Sequence, residues 1–212
     1  MKYDLHIHTH YSACSILKPK TILKVAKKAG LDGIAVNDHN TIKGGVVVSK
    51  ENKDKDFEVI PGIELATDRG HLLGLYVNEE IKSRDFFEAV DSIRKQGGLA
   101  IIAHPFRIVP HLRSNIKSID VKKHLDAVEC YNARTSYFGN KSAMKFADKF
   151  DLAKTAGSDA HFSFEIGRCV TRFDGDITNA IKKQKTQVEG SNVTGLLGST
   201  FSFFEKHLLR RR

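Results

Sequence analysis

Short apolar runs alternate along the chain with longer stretches whose apolar residues recur every three or four positions. Tyr3–His8 has a period of two, which predicts a strand with Leu5 and Ile7 on one face and His6 and His8 on the other. Thr21–Ala29 has the helical period, with Ile22, Leu23, Val25, Ala26 and Ala29 as its stripe and Gly30 as its stop. Gly33–Asn37 is an apolar run ending in Asp38-His39-Asn40 and reads as a buried strand. Thr41–Lys50 is a weaker helix, because Gly44 and Gly45 fall inside it. The charged stretch Glu51–Asp56 predicts a surface loop. Phe57–Ile60 and Ile63–Ala66 then form an extended segment interrupted by Pro61-Gly62. Leu72–Val77 predicts a strand opened by His71, and Arg84–Gln96 an amphipathic helix stopped by Gly97-Gly98. Leu99–Ala103 runs apolar into His104-Pro105. Strands are predicted at Ala127–Tyr131, which contains Glu129, and at Ala153–Gly157, which leads into Ser158-Asp159-Ala160-His161. Lys141–Phe150 and Asp176–Lys185 are predicted helices. From Ser199 onward, Phe201, Phe203, Phe204, Leu208 and Leu209 form a helix-like apolar set with basic residues between them, expected to pack on the domain.

Strand followed by helix about seven times argues an α/β fold with a largely parallel sheet. The expected division is a barrel over residues 1–175 and a helical extension with a basic tail over 176–212. A composition of 41% hydrophobic and 28% charged residues is that of a soluble globular protein. At 212 residues the chain can bury a core without a disulfide or a metal. No apolar run reaches the roughly 18 residues that span a bilayer. The first residues lack the apolar stretch of a signal peptide. The expectation is therefore a cytoplasmic protein with no membrane partner. Cys14, Cys130 and Cys169 match no zinc-ribbon or CxxC spacing, which fits a reducing compartment. Cys130 and Cys169 read as small buried hydrophobes. The net charge of +9 suits phosphate-bearing ligands and leaves a nucleic-acid partner open. The basic residues are nevertheless spread out, and Arg210-Arg211-Arg212 reads as a solvated tail. Dinucleotide and P-loop glycine motifs are both missing.

The titratable residues fall in a positional pattern. His6 and His8 end the first predicted strand, Asp38 and His39 the second, and Glu64 the third. His71 begins the fourth, His104 ends the fifth, Glu129 sits in the sixth, and Asp159 and His161 follow the seventh. Such clustering at one end of successive strands is the mark of a barrel active site. Two side chains at i and i+2 share a strand face, as in His6-Ile7-His8 and Asp159-Ala160-His161. Six imidazoles with two carboxylates suit Zn, Fe or Mn better than Ca or Mg. His6, His8, His39, Glu64, His71, His104, Asp159 and His161 are too many donors for one tetrahedral ion. They point to at least two ions, with Glu64 able to bridge them.

The order of Asp4-Leu5-His6-Ile7-His8-Thr9, Asn37-Asp38-His39-Asn40-Thr41, Gly62-Ile63-Glu64, His71-Leu72-Leu73-Gly74, Ala103-His104-Pro105 and Gly157-Ser158-Asp159-Ala160-His161 closely resembles the PHP family. This is the polymerase-and-histidinol-phosphatase superfamily of metal-dependent phosphoesterases, and the resemblance covers about residues 3–173. It implies a distorted (β/α)7 barrel with up to three ions at its C-terminal mouth. By that resemblance His6, His8, Glu64 and Asp159 hold one ion, Glu64, His71 and His104 a second, and His39 and His161 a third. One family position departs. Where an Asp or His is usual, the segment Tyr11–Ser15 offers Ala13, which has no donor, and Cys14. Cys14 is either a thiolate ligand or a small loop residue, and in the second case the third ion is weakly held or absent.

The expected function is hydrolysis of a phosphate ester, with two or three divalent ions (Zn, Mn or Fe) clamping the phosphate and activating a water as hydroxide. Asp38 and Glu129 are expected to orient histidine ligands or water, and His161 or an ion-bound water to protonate the leaving oxygen. Arg107, Arg134 and Arg168 each follow a strand of the proposed site and are the candidates for gripping phosphate, at least one of them doing so. A small phosphorylated metabolite or a nucleotide is preferred over a polymer, since no added nucleic-acid-binding domain is recognisable. One alternative is a nucleic-acid phosphodiesterase or an RNA-binding module of PHP type. The charge argues for it, and the eight ligand positions argue against pure binding. The other is an amidohydrolase-type barrel cleaving C–N bonds. That class shares the HxH but usually bridges its ions with a modified lysine and lacks the Asp-His-Asn and Gly-Ile-Glu segments.

Overall fold

The first strand, β1 (Lys2–Ile7), does not keep the simple alternation its sequence suggests. In the computed structural model, which describes residues 1–107, 114 and 121–191, β1 pairs in parallel with β2 (Gly33–His39). Tyr3 lies opposite Gly33, Asp4 opposite Ile34, and Ile7 opposite Val36, so Leu5 and His6 together face Ala35. This is a β-bulge, and it re-aims the side chains that follow it. Leu5 packs with Tyr3, Ala35, Ile60 and Leu73, whereas Ile7 packs with Ile22, Ala26, Ile34 and Val36. Leu5 and Ile7 therefore face opposite sides, contrary to the strict period of two.

The remaining elements follow in order. They are α1 (Pro19–Lys28), α2 (Lys43–Glu51), β3 (Glu58–Thr67), β4 (Gly70–Leu75), α3 (Phe86–Lys95), β5 (Leu99–Ile102) and the single turn α4 (Val121–His124). Then come β6 (Ala127–Asn132), α5 (Tyr137–Phe150), β7 (Ala153–Gly157), a 3-10 turn at Ser163–Glu165, β8 (Cys169–Arg172), α6 (Ile177–Lys182) and β9 (Gln187–Gly190). The nine strands form one sheet in the order β7-β6-β5-β4-β3-β2-β1-β8-β9. Neighbours are parallel except around β4, which runs against both β3 and β5, and at β8 and β9. The sheet nearly closes: Ile7 bridges to Ala160, just beyond β7. The result is the distorted α/β barrel of the expected class.

Besides β1, five elements differ from their sequence reading. Pro61-Gly62 does not break β3, because the Pro61 carbonyl accepts from Val77 N beyond the last β4 pair, Gly62 with Leu75. A missing N–H there removes no ladder bond. β3 and β4 form a hairpin rather than a strand–helix–strand unit. This reversal explains why His71, at the start of β4, reaches the same rim as residues at the ends of other strands. α5 starts before Lys141, because the Ser136 side chain caps it by accepting from Gly139 N. β8 and β9 were not anticipated; each is four residues long, too short for a periodic signal.

α3 shows why the helices sit where they do. Asp85 accepts from Phe87 N and Glu88 N at its start, and Phe86, Ala89, Val90 and Ile93 turn inward at helical spacing. Ile177 and Ile181 of α6 join Tyr3 and Phe173 in a buried cluster. The apolar set after Ser199 and the terminal arginines lie outside the described residues. Among the described residues, no helix is long and apolar enough to cross a membrane.

Candidate metal centre

Glu64 of β3 is the hub. Its Oε1 lies 2.7 Å from His71 Nδ1 and 3.0 Å from His104 Nε2. Its Oε2 lies 2.8 Å from His39 Nδ1, 3.4 Å from His8 Nε2 and 3.6 Å from His6 Nε2. Asp159, at φ 54° after β7, brings Oδ1 to 3.2 Å from His8 Nε2. His6 Nε2 and His8 Nε2 are 3.1 Å apart, as i, i+2 residues on one strand face can be, and the β1 bulge turns that face toward the hub. His8, His39 and His161 form a second group, and His39, Glu64 and His71 a third, each with donor atoms within 4.8 Å of one another. The structure thus brings together all eight residues expected as ligands.

Electrostatics explain what this convergence costs. Burial alone pushes the Glu64 carboxyl up, but His71, His39 and His6 outweigh it and hold it well below the usual range. Burial likewise opposes charge on His6, and Glu129, Asp159 and Glu64 outweigh it and raise its pKa. His161 goes the other way: burial, then His8 and Arg134, hold it well below the usual histidine value. Glu64 Oε2 and His104 Nδ1 are buried and make no aligned hydrogen bond. Buried polar atoms are rarely left so. An ionised carboxylate oxygen with no aligned hydrogen bond, ringed by imidazole nitrogens, is what a divalent cation of the zinc, iron or manganese type fits.

The supporting residues are equally specific. Glu129 Oε1 lies 2.8 Å from His6 Nδ1, and Oε2 accepts from His104 N at 2.8 Å and from Asn132 Nδ2 at 3.1 Å. Asp38 stands behind the ring. It accepts from Thr9 N (2.8 Å), Thr9 Oγ1 (2.7 Å) and Ser12 Oγ (2.5 Å). Ser12 Oγ lies 3.3 Å from His8 Nδ1 and accepts from His39 N at 3.0 Å. This explains the glycine in α2: a Cβ on Gly44 would fall 1.8 Å from Asp38 Oδ2.

The three arginines separate. Arg107 Nη1 donates to Asp159 Oδ2 at 2.9 Å, at the edge of the centre. Arg134 is buried and pairs through Nε and Nη2 with Glu165, at 2.9 and 2.8 Å. Glu165 in turn accepts from His161 N (2.8 Å) and Phe162 N (3.0 Å), so this ion pair braces the loop that carries His161. Arg168 is exposed and donates to Phe164 O. Sequence reasoning missed Glu165, Ser12 and Asn132, which occupy no recognisable spacing. It also passed over Asp4, which is buried and joins β1 to the β7 end through Ser158 N (2.9 Å), Ser158 Oγ (2.5 Å) and Gly167 N (2.8 Å). Burial pushes its pKa up to about 6, against the hydrogen bonds that favour the anion. Cys14 is half-buried, its Sγ 3.0 Å from His161 Nε2.

Comparison with known proteins places this arrangement. The family model described as PHP domain matches residues 4–97, and one described as PHP-associated matches residues 139–186. An uncharacterized protein of Methanocaldococcus jannaschii is 43% identical over 145 residues, 63% of this chain and 82% of that protein. A second from the same organism is 37% identical over 182 residues, 82% of this chain and 70% of its own length. A 5'-3' exoribonuclease of Haemophilus influenzae is 36% identical over 78 residues, 35% of this chain and 28% of that enzyme. Among solved structures, a two-domain protein from Bacteroides vulgatus containing a predicted PHP-like metal-dependent phosphoesterase superposes with TM-score 0.74 at 18% identity, covering 97% of this chain and 69% of that one. An amidohydrolase from Chromobacterium violaceum with bound sulfate and no metal superposes with TM-score 0.62 at 15% identity, covering 89% and 97%. At these identities the two structures show a shared fold. With a matching model on each side of the segment carrying His104 and Glu129, and the same fold across nearly the whole length, the chain belongs to the PHP family.

Proposed function

We propose that this protein is a metal-dependent phosphoesterase acting on a small phosphorylated metabolite or a nucleotide. The observation that carries the reading is Glu64, a buried carboxylate with ring nitrogens of five histidines within 3.6 Å. His6, His8, Glu64 and Asp159 would hold one ion, Glu64, His71 and His104 a second, and His39 and His161 a third. Such ions supply Lewis acidity toward phosphate oxygens and lower the pKa of water. The chain's own residues do the rest. Glu129 orients His6, and Asp38 orients His8 through Ser12. Arg107 offers a guanidinium beside Asp159 for a phosphate oxygen. Arg134 is engaged with Glu165 and serves the fold of the His161 loop instead.

A second reading, hydrolysis of phosphodiesters in nucleic acid, is favoured by the partial similarity to an exoribonuclease and by the +9 charge. The amidohydrolase reading has less support, because the bridging role which that class gives to a modified lysine is open here to Glu64. The test is turnover of a panel of phosphomonoesters, a synthetic phosphodiester and short RNA, after loading with Zn, Mn or Fe. Replacing His104 with Ala is expected to abolish turnover while the circular dichroism spectrum is kept. Unchanged turnover in that variant, or hydrolysis of a cyclic imide but of no phosphate ester, would overturn the proposal.

A further inference from the structure

The group of His8, His39 and His161 differs chemically from the rest. His161 Nδ1 lies 2.7 Å from Asp159 O. A carbonyl can only accept, so Nδ1 carries the hydrogen and Nε2 presents its lone pair. That lone pair faces Cys14 Sγ at 3.0 Å. Cys14 is also among the neighbours that act electrostatically on the His39 ring. His8, His39 and His161 converge within 4.8 Å, and His39 touches Glu64 Oε2, the buried oxygen with no aligned partner. The other cysteines have no such surroundings: Cys130 Sγ meets Ala143 O and Cys169 Sγ meets Ser191 O.

We propose that Cys14 is a thiolate ligand which, with His39 and His161, makes this group a zinc-preferring site, unlike the nitrogen–carboxylate sites built on Glu64. The inference rests on the metal-centre reading above. Binding breaks the S–H bond and forms a metal–sulfur bond, and the proton leaves to solvent. Thiolate and imidazole are donors that zinc accepts readily, whereas manganese prefers carboxylate and water. The half-buried position of Cys14 leaves the thiol reachable by an entering ion, while Cys130 and Cys169 are buried.

Titration of the metal-free full chain with Co²⁺, followed by absorption, tests it. The wild type is expected to show a near-ultraviolet sulfur-to-cobalt charge-transfer band together with the visible ligand-field bands. Cys14→Ala is expected to lose the charge-transfer band and one equivalent of bound zinc. Cys14→Asp is expected to recover the equivalent without the band and to shift preference from zinc toward manganese. Alkylation read by mass spectrometry gives a second measure: zinc should protect Cys14. Ligand-field bands without charge transfer, and alkylation of Cys14 unaffected by zinc, would overturn the thiolate proposal and leave the metal centre standing. No cobalt uptake at all would overturn both.

Discussion

The two sides of Glu64 are built differently. On the inner side His6 and His104 are buried, and each is held by Glu129, through a ring nitrogen in one case and a backbone N–H in the other. Asp159 is held by Arg107, and the His161 backbone by the Arg134–Glu165 pair. On the outer side the His39 side chain is 33% exposed and that of His71 12%, and Cys14 is half-buried. Their ring nitrogens meet Glu64 and their rings lie against one another and against His8 and His104, with Ser12 steadying the His39 backbone. The inner side is positioned by protein charges in a low-dielectric setting, where each contact is strong and each loss expensive. The outer side is positioned by the ligand atoms themselves, so its geometry depends more on what is bound.

Four substitutions sharpen or break this contrast. The largest effect is expected for Arg134→Ala, which leaves Glu165 buried and unpaired. Loss of one partner of a buried ion pair costs about 3–5 kcal/mol, measurable by urea unfolding of the metal-free protein; a loss near zero would mean that the pair does not brace the inner side. Next comes Glu129→Gln, which keeps an acceptor for His6 but removes the charge. Removal of such a support typically weakens metal affinity roughly 10- to 100-fold, read by competition with a chelator. Gly44→Ala should destabilise by about 1–3 kcal/mol, as overpacking does, because its Cβ meets Asp38 Oδ2. Wild-type thermal stability in that variant would break the assignment of Asp38 as the rigid support behind His8. The smallest effect is expected for Arg168→Ala, which is exposed and lies on neither side. Stability should stay within about 0.5 kcal/mol, and KM for the best phosphate ester should be unchanged; a raised KM would return Arg168 to the phosphate site.

The set of converging donors was legible in the sequence for a specific reason. Each of His6, His39, Glu64, His104 and Asp159 sits at the end of an apolar run, and a hydrophobic strand ending in a titratable residue stands out in one dimension. The supports were not legible. Glu129 meets His6 across 123 positions, and Arg134 meets Glu165 across 31. No local pattern marks such a pair. Arg134 followed a strand of the site just as Arg107 did, and burial against Glu165 separated them. Gly44 looked like a weakness in a helix and proved to be the clearance for Asp38.

Local periodicity therefore determined the α/β class, and the motifs with their family resemblance determined the barrel and the inventory of groups at its mouth, because all of these are properties of short segments. Which way those groups point was decided only in three dimensions. The bulge at Leu5–His6 turns His6 inward, the reversal of β4 delivers His71 to the rim, and the near-closure of β1 on the β7 end sets Asp159 beside His8. Strand pairing and long-range ion pairs set orientation, and they join residues far apart in the chain.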